Sequence, residues 1–331
     1  MANSSASPSS PASRLTRGYA ICIVGTVIWS STGVLIAYLT ANYEIAPLVL
    51  AFWRDLAMAG FLALVFALFS PRRLRPGAGN AGFFLLYGLV LSLFNSLWTI
   101  SVALNGASVS TVLAYSSTAF TALLGWRLLG ESLGGLKILA VTLSILGTVL
   151  VSGAYNPANW QLNPLGIITG LFSGLAFAAY SLMGRVSSQR KIDPWTTLLY
   201  TFASAAVYIL GYNLLAGWLP QGTASPELFQ LGAQWQAWAV LLFLAIGPTI
   251  GGYGLYTVSL GYLPASVANL IAATEPVFTA ILAYFLLNEV LTASQLAGGA
   301  LIVVSVVVVR VAEGRSAPPP APAALEQSRA A

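Results

Sequence analysis

Histidine is absent from this 331-residue chain, cysteine occurs once, and charged residues make up only 7% of it. Without histidine there is neither a Ser–His catalytic dyad nor an HExxH zinc site. An aspartyl dyad needs two aspartates inside apolar segments, and only Asp55 qualifies. No GxxxxGK[ST] phosphate loop occurs, which argues against an ATP-driven pump on this chain. No enzymatic activity, metal or cofactor is therefore expected. The lone Cys22 excludes an internal disulfide and reads as a small packing residue in the first helix. The scarcity of charge is the most consequential shortage. Soluble chains carry about 25% charged residues, whereas this one is 57% hydrophobic with mean hydropathy +0.82. Its main solvent is lipid.

A bilayer core takes about 20 apolar residues as a helix. Runs of that length lie near 18–40, 46–69, 82–104, 108–129, 134–153, 164–186, 195–215, 236–258, 265–287 and 294–312. They are too long for barrel strands and do not alternate, so only helices satisfy their backbone groups in lipid. The expected fold class is an all-α integral membrane protein of ten transmembrane helices. Residues 1–17 and 313–331, rich in Ser, Ala and Pro, read as disordered tails. The apolar run after Arg14 and Arg17 is too long for a cleavable signal peptide.

The basic residues sort by loop. Arg14, Arg17, Arg72, Arg73, Arg75, Arg127, Lys137, Arg185, Arg190, Lys191, Arg310, Arg315 and Arg329 all fall on one side of a ten-span arrangement, and Arg54 lies within a span. The positive-inside rule then predicts cytoplasmic N- and C-termini in a bacterial-type inner membrane. The net charge of +5 is a topology signal, and no nucleic-acid partner is expected. Trp218, Trp235 and Trp238 border the long outer segment 216–235 as an interfacial belt.

ASVSTVLAYSSTAFTALLGWRLLGESL (107–133) aligns without a gap on ASVANLIAATEPVFTAILAYFLLNEVL (265–291), with 12 of 27 positions identical and an offset of 158 residues. The chain reads as two five-helix units, 18–153 and 164–312. An odd number of spans per unit inserts the second copy upside down, the architecture of alternating access around a central cavity. GWRLLGESLGGLKILAVTLSILGTVLV, EPVFTAILAYFLLNEVLTASQLAGGALIVVSVVVV and APLVLAFWRDLAMAG, in this order and duplicated, resemble the drug/metabolite transporter superfamily, and within it the EamA-type ten-helix exporters. The resemblance implies secondary export of amino acids or related small metabolites, with the aromatic amino-acid exporters one branch. A facilitative channel, or an exporter of drugs or other metabolites, is the alternative.

Few ionisable groups lie well inside spans: Arg54, Asp55 and Glu275. A charge at a helix centre costs about 2.5–3.5 kcal/mol on insertion scales, so such residues need a use or a partner. Arg54 lies about 12 Å and Glu275 about 15 Å into a core about 30 Å thick. The two are expected to border the cavity at similar heights, binding the substrate's carboxylate and ammonium, with proton coupling at Glu275 as one mode and a structural pair as another. Asp55 points about 100° away from Arg54 around the helix and needs another partner. Pro276 removes a helix hydrogen bond and should kink the ninth span. Its counterpart in the first copy is the polar Ser117–Thr118 step. Asn95, Trp98, Tyr115, Ser117 and Tyr253 complete the substrate-site candidates. Trp29, Trp53, Tyr87, Tyr180 and Tyr256 are further aromatics within spans, each a packing residue unless a cavity gathers them. GLFSG (170–174) and GPTIG (247–251) read as packing spacings.

Overall fold

The computed structural model describes residues 11–75, 77, 79–153, 155–156, 163–278, 281 and 292–316. Residues 76, 78, 154, 157–162, 279–280 and 282–291, the last covering the end of the expected ninth span, and the tails 1–10 and 317–331 lie outside the described residues. Every described regular element is helical. Six segments are long and apolar enough to cross a membrane: Arg14–Tyr43, Pro47–Phe69, Ala81–Leu104, Pro164–Gln189, Pro194–Leu214 and Trp235–Ser259. Two shorter apolar helices, Gly135–Leu150 and Leu296–Val309, accompany them. The chain is a multi-pass membrane protein.

The elements are α1 (Pro11–Trp29), α2 (Thr32–Tyr43), α3 (Pro47–Phe69), α4 (Ala81–Tyr115), α5 (Ser117–Leu129), α6 (Gly135–Ser152), α7 (Pro164–Gln189), α8 (Pro194–Leu214), α9 (Trp235–Leu244), α10 (Ile250–Ser259), α11 (Ala265–Ala272) and α12 (Ala293–Ser316). Caps explain several boundaries. Asn163 Oδ1 accepts from the Leu165 and Gly166 amides, and Asp193 Oδ1 from Thr196 N, at the starts of α7 and α8. Gly130 and Gly153, at φ +66° and +70°, end α5 and α6 in the left-handed conformation that glycine adopts without strain.

Three boundaries differ from the sequence expectation. Helix α1 starts at Pro11 and α12 runs to Ser316, each reaching into a stretch read as tail. Pro11 is tolerated in the first turn of α1, where its missing N–H costs nothing, so composition alone misplaced that start. Helical backbone also runs without a gap through α4, where two spans were expected. Yet Ser101 Oγ lies 2.8 Å from Ser110 Oγ. Nine residues of straight helix would separate them by about 13.5 Å, so α4 folds back on itself between them.

Close packing follows the small residues. A Cβ on Gly174 would stand 2.9 Å from Leu113 O and 3.0 Å from Ala114 O, and one on Gly170 would meet Leu113 and Ser101. Both glycines of GLFSG thus seat α7 against α4. In GPTIG, Gly251 faces Ile28 closely, whereas a Cβ on Gly247 would meet the Phe243 ring of its own helix only at ordinary contact distance, 3.5 Å. Gly147 does the same service between α6 and α12, facing Gly298 O and Ile302. Gly174→Val should destabilise the bundle by about 1–3 kcal/mol through overpacking, read as a lower thermal midpoint in detergent. Gly211→Ala, where nothing lies within 4 Å, should leave that midpoint unchanged or raise it.

Trp218 and Trp235 are exposed, in keeping with an interfacial belt. Trp238 instead packs edge-on to Trp53 with ring centroids 5.1 Å apart.

Candidate functional site

Helices that must span lipid are interrupted where the aromatics gather. The first span breaks at Ser30–Ser31, the α4–α5 junction at Ser116, and α11 ends at Ala272 before helical backbone resumes at Glu275. At each break a hydroxyl bonds back to the carbonyl three residues before it, and Leu113 O and Ile271 O accept the Ser116 and Thr274 amides as well. Ser30 Oγ donates to Val27 O (2.7 Å), Ser116 Oγ to Leu113 O (2.6 Å) and Thr274 Oγ1 to Ile271 O (2.7 Å). Pro276 has no N–H to offer the carbonyl of Ala272. Ser116 and Thr274 are themselves 158 residues apart, the offset of the sequence repeat. A wider π-type turn, Ala245–Thr249, joins α9 to α10 around Pro248.

The three breaks meet at a small, partly enclosed cavity of about 20 Å³, lined by Trp29, Phe94, Trp98, Ala114, Tyr115, Phe177 and Glu275. That is room for one water molecule. Tyr115 OH donates to Glu275 Oε2, so the carboxylate that follows α11 is bonded to the end of α4. Around it the rings interlock. Trp29 lies 4.4 Å from Tyr253 and 5.6 Å from Phe177, and Phe94 stacks on Phe177 at 4.8 Å between centroids.

Beside the cavity runs a buried polar chain. Arg54 Nε lies 3.2 Å from Asp55 Oδ1, Asn95 Nδ2 donates to Asp55 Oδ2 at 2.7 Å, and Tyr253 OH donates to Asn95 Oδ1 at 2.9 Å. Arg54, Asp55 and Asn95 have no exposed surface, and both terminal guanidinium nitrogens of Arg54 lack a partner among the described residues. A buried guanidinium is a costly group to leave half-bonded. A second chain runs from Ser117 Oγ to Asn269 Oδ1 (3.1 Å), from Asn269 Nδ2 to Ser181 Oγ (3.4 Å), and on to Tyr256 OH (2.6 Å).

Of the residues singled out from the sequence, Trp98, Tyr115 and Glu275 line the cavity, and Arg54, Asn95 and Tyr253 sit in the first polar chain. Ser117 faces the second chain instead. Asp55 does not look elsewhere for its cation, as the 100° separation suggested, because the long Arg54 side chain curls back to it. Arg54 and Glu275 form no ion pair with each other: each has its own partner. Phe94, Phe177 and Ser181 escaped notice because nothing distinguishes one Phe or Ser from its neighbours on a helix that is apolar all round.

Comparison with known proteins adds the family context. The model of the EamA-like transporter family matches residues 16–153 and again 164–311. An uncharacterized transporter of Synechocystis sp. is 29% identical over 221 residues, 66% of this chain and 63% of that protein; the match thus spans a little under two thirds of that relative's length. A protein of Salmonella typhimurium named a probable amino-acid metabolite efflux pump is 26% identical over 285 residues, 85% of this chain and 91% of that protein. A solved crystal structure shares the fold with a TM-score of 0.67 and 19% identity, over 92% of this chain and 99% of that one.

Proposed function

This chain belongs to the EamA-like transporter family, and from that premise we propose that it exports small amphipathic metabolites, amino acids first among them, across the inner membrane. The working unit on this reading is ten helices in two inverted five-helix repeats, with both termini cytoplasmic. The observation that carries the reading is the small aromatic cavity with Glu275 at the meeting point of three helix breaks. Intramembrane charge is expensive and marks ion or substrate pathways. Broken helices at membrane depth mark transporter binding sites. The relative named as an amino-acid metabolite efflux pump supports the substrate class.

The division of labour follows from the charges. A substrate carboxylate supplies the acceptors that the Arg54 guanidinium lacks. An ammonium group meets Glu275 among Trp29, Trp98 and Tyr115 by charge pairing and cation–π attraction, and the same carboxylate is the group through which a proton would couple. An amino acid does not fit in about 20 Å³, so loading requires the walls to part, as alternating access demands. Rings in contact across the cavity also favour a carrier over an open channel.

The test is flux in liposomes of purified protein, loaded in turn with radiolabelled Phe, Trp, Thr and Cys. Saturable flux of one class above protein-free liposomes is the expected outcome. Flux that rises without saturation would indicate a channel. No flux of any amino acid would sink the substrate class.

A further inference from the structure

The LLGES turn after α5, prominent in the repeat, has a use that the substrate site does not absorb. Helix α11 begins after Pro264, which has no side-chain acceptor for the amides of the first turn. Glu131 provides it from the other half of the sequence. Its Oε1 accepts from Ala265 N at 2.7 Å, and its Oε2 from Ser266 N at 3.3 Å and from the Ser266 hydroxyl. Lys137 Nζ stands 3.6 Å from Oε2. Gly125 makes the room: a Cβ there would lie 2.8 Å from the carboxylate. Next to this cluster Arg185 Nη1 donates to Leu260 O at 2.8 Å, and Arg17 lies over the Tyr262 ring. One end of the bundle is therefore tied shut. At the opposite end a pocket of about 770 Å³ opens between Thr40–Pro47, Val102–Leu104 and Gln221–Ser225.

We propose that Glu131 is a positioning residue for transport: it holds the N-terminus of α11 so that this end of the path stays closed, and its release is the step that opens that end. The inference rests on the transporter reading, and it connects the seal to the cavity. Helix α11 is eight residues long, about 12 Å, and leads through the break at Ala273–Thr274 to Glu275. The carboxylate that caps α11 thereby sets where the cavity carboxylate stands. A negative charge at a helix N-terminus is favourable on its own account, and here it also bridges elements that must separate if this end is to admit a substrate.

Cys22 reports on the seal. It is the sole cysteine of the chain, fully buried, with Sγ 3.5 Å from Ala268 O on α11. The experiment is the rate of Cys22 modification by a membrane-impermeant maleimide, applied to intact cells and to inside-out vesicles, for wild type, Glu131→Gln and Ser266→Ala, with thermal midpoints measured in parallel. Glu131→Gln should raise the rate at least about tenfold from one membrane face only, equivalent to about 1.4 kcal/mol of lost closure. Ser266→Ala, which keeps both amide bonds, should raise it less, and it carries the test if the first variant does not fold. Unchanged rates in folded protein, or an equal rise from both faces, would overturn the proposal. A one-faced rise in a protein without amino-acid flux would uphold the seal while the substrate assignment falls. Flux with unchanged labelling would sink the seal alone.

Discussion

Glu275→Gln should leave the protein folded and reduce saturable flux at least about tenfold, about 1.4 kcal/mol in barrier height. The amide oxygen still accepts from Tyr115 OH, so the contact between the end of α4 and the segment after α11 survives and the thermal midpoint should hold. What disappears is the charge. A hydrogen bond to a charged group is worth about 1.5–3 kcal/mol net, so losing one weakens binding of a cationic group about ten- to a hundredfold. The variant also separates two uses of the carboxylate. If accumulation driven by a pH gradient is lost while substrate exchange persists, Glu275 carries the coupled proton. Equal loss of both assigns it to substrate binding. Wild-type flux in the variant would remove Glu275 from the mechanism. Tyr115→Phe frees the carboxylate and keeps its charge, so it should lower flux less than Glu275→Gln does.

Arg54→Met should be the most damaging single substitution, destabilising by about 3–5 kcal/mol because it leaves Asp55 as an uncompensated buried charge with only Asn95 bonded to it. The paired variant Arg54→Met/Asp55→Asn removes both charges and should regain most of that stability, measured as the thermal midpoint in detergent. Flux distinguishes the two roles of the arginine. If Arg54 served only to neutralise Asp55, the paired variant would transport normally. With the terminal guanidinium nitrogens receiving the substrate's anionic group, the paired variant folds and its flux stays at least about tenfold down. Recovery of flux together with stability would reduce Arg54–Asp55 to a structural pair.

Much of the helical layout was readable because lipid imposes a length and an apolar character that few residues violate. Pro47, Pro164 and Pro194 stand in first helical turns, where their missing N–H costs nothing, and the apolar runs they introduce match expectation. The site was less legible. Arg54, Asn95, Tyr115, Tyr253 and Glu275 stood out because polar groups are rare in such segments, but their pairing depends on rotation about helix axes. Helices apolar all round carry little record of that rotation. Hence the Arg54–Asp55 bond between sequence neighbours was missed, as were Phe94 and Phe177. The break at Ser30–Ser31 was equally hidden, since serines inside a span satisfy their hydroxyls against the helix backbone whether or not the helix continues. Glu131 could have been suspected from Pro264, which starts a helix without a cap of its own.

The hydroxyls at the breaks bear on mechanics as well as on chemistry. A helix is stiff because each of its amides is bonded one turn back. At Ser116 and Thr274 the amide bonds three residues back, and the hydroxyl shares the same carbonyl, so the regular ladder gives way to a tighter local turn. Bending there exchanges one local turn bond for another within a ladder that is already irregular, and the segments on either side behave as lever arms. The helical ladder is thus least regular around the chamber that must change shape, and runs uninterrupted in α3, α7 and α8.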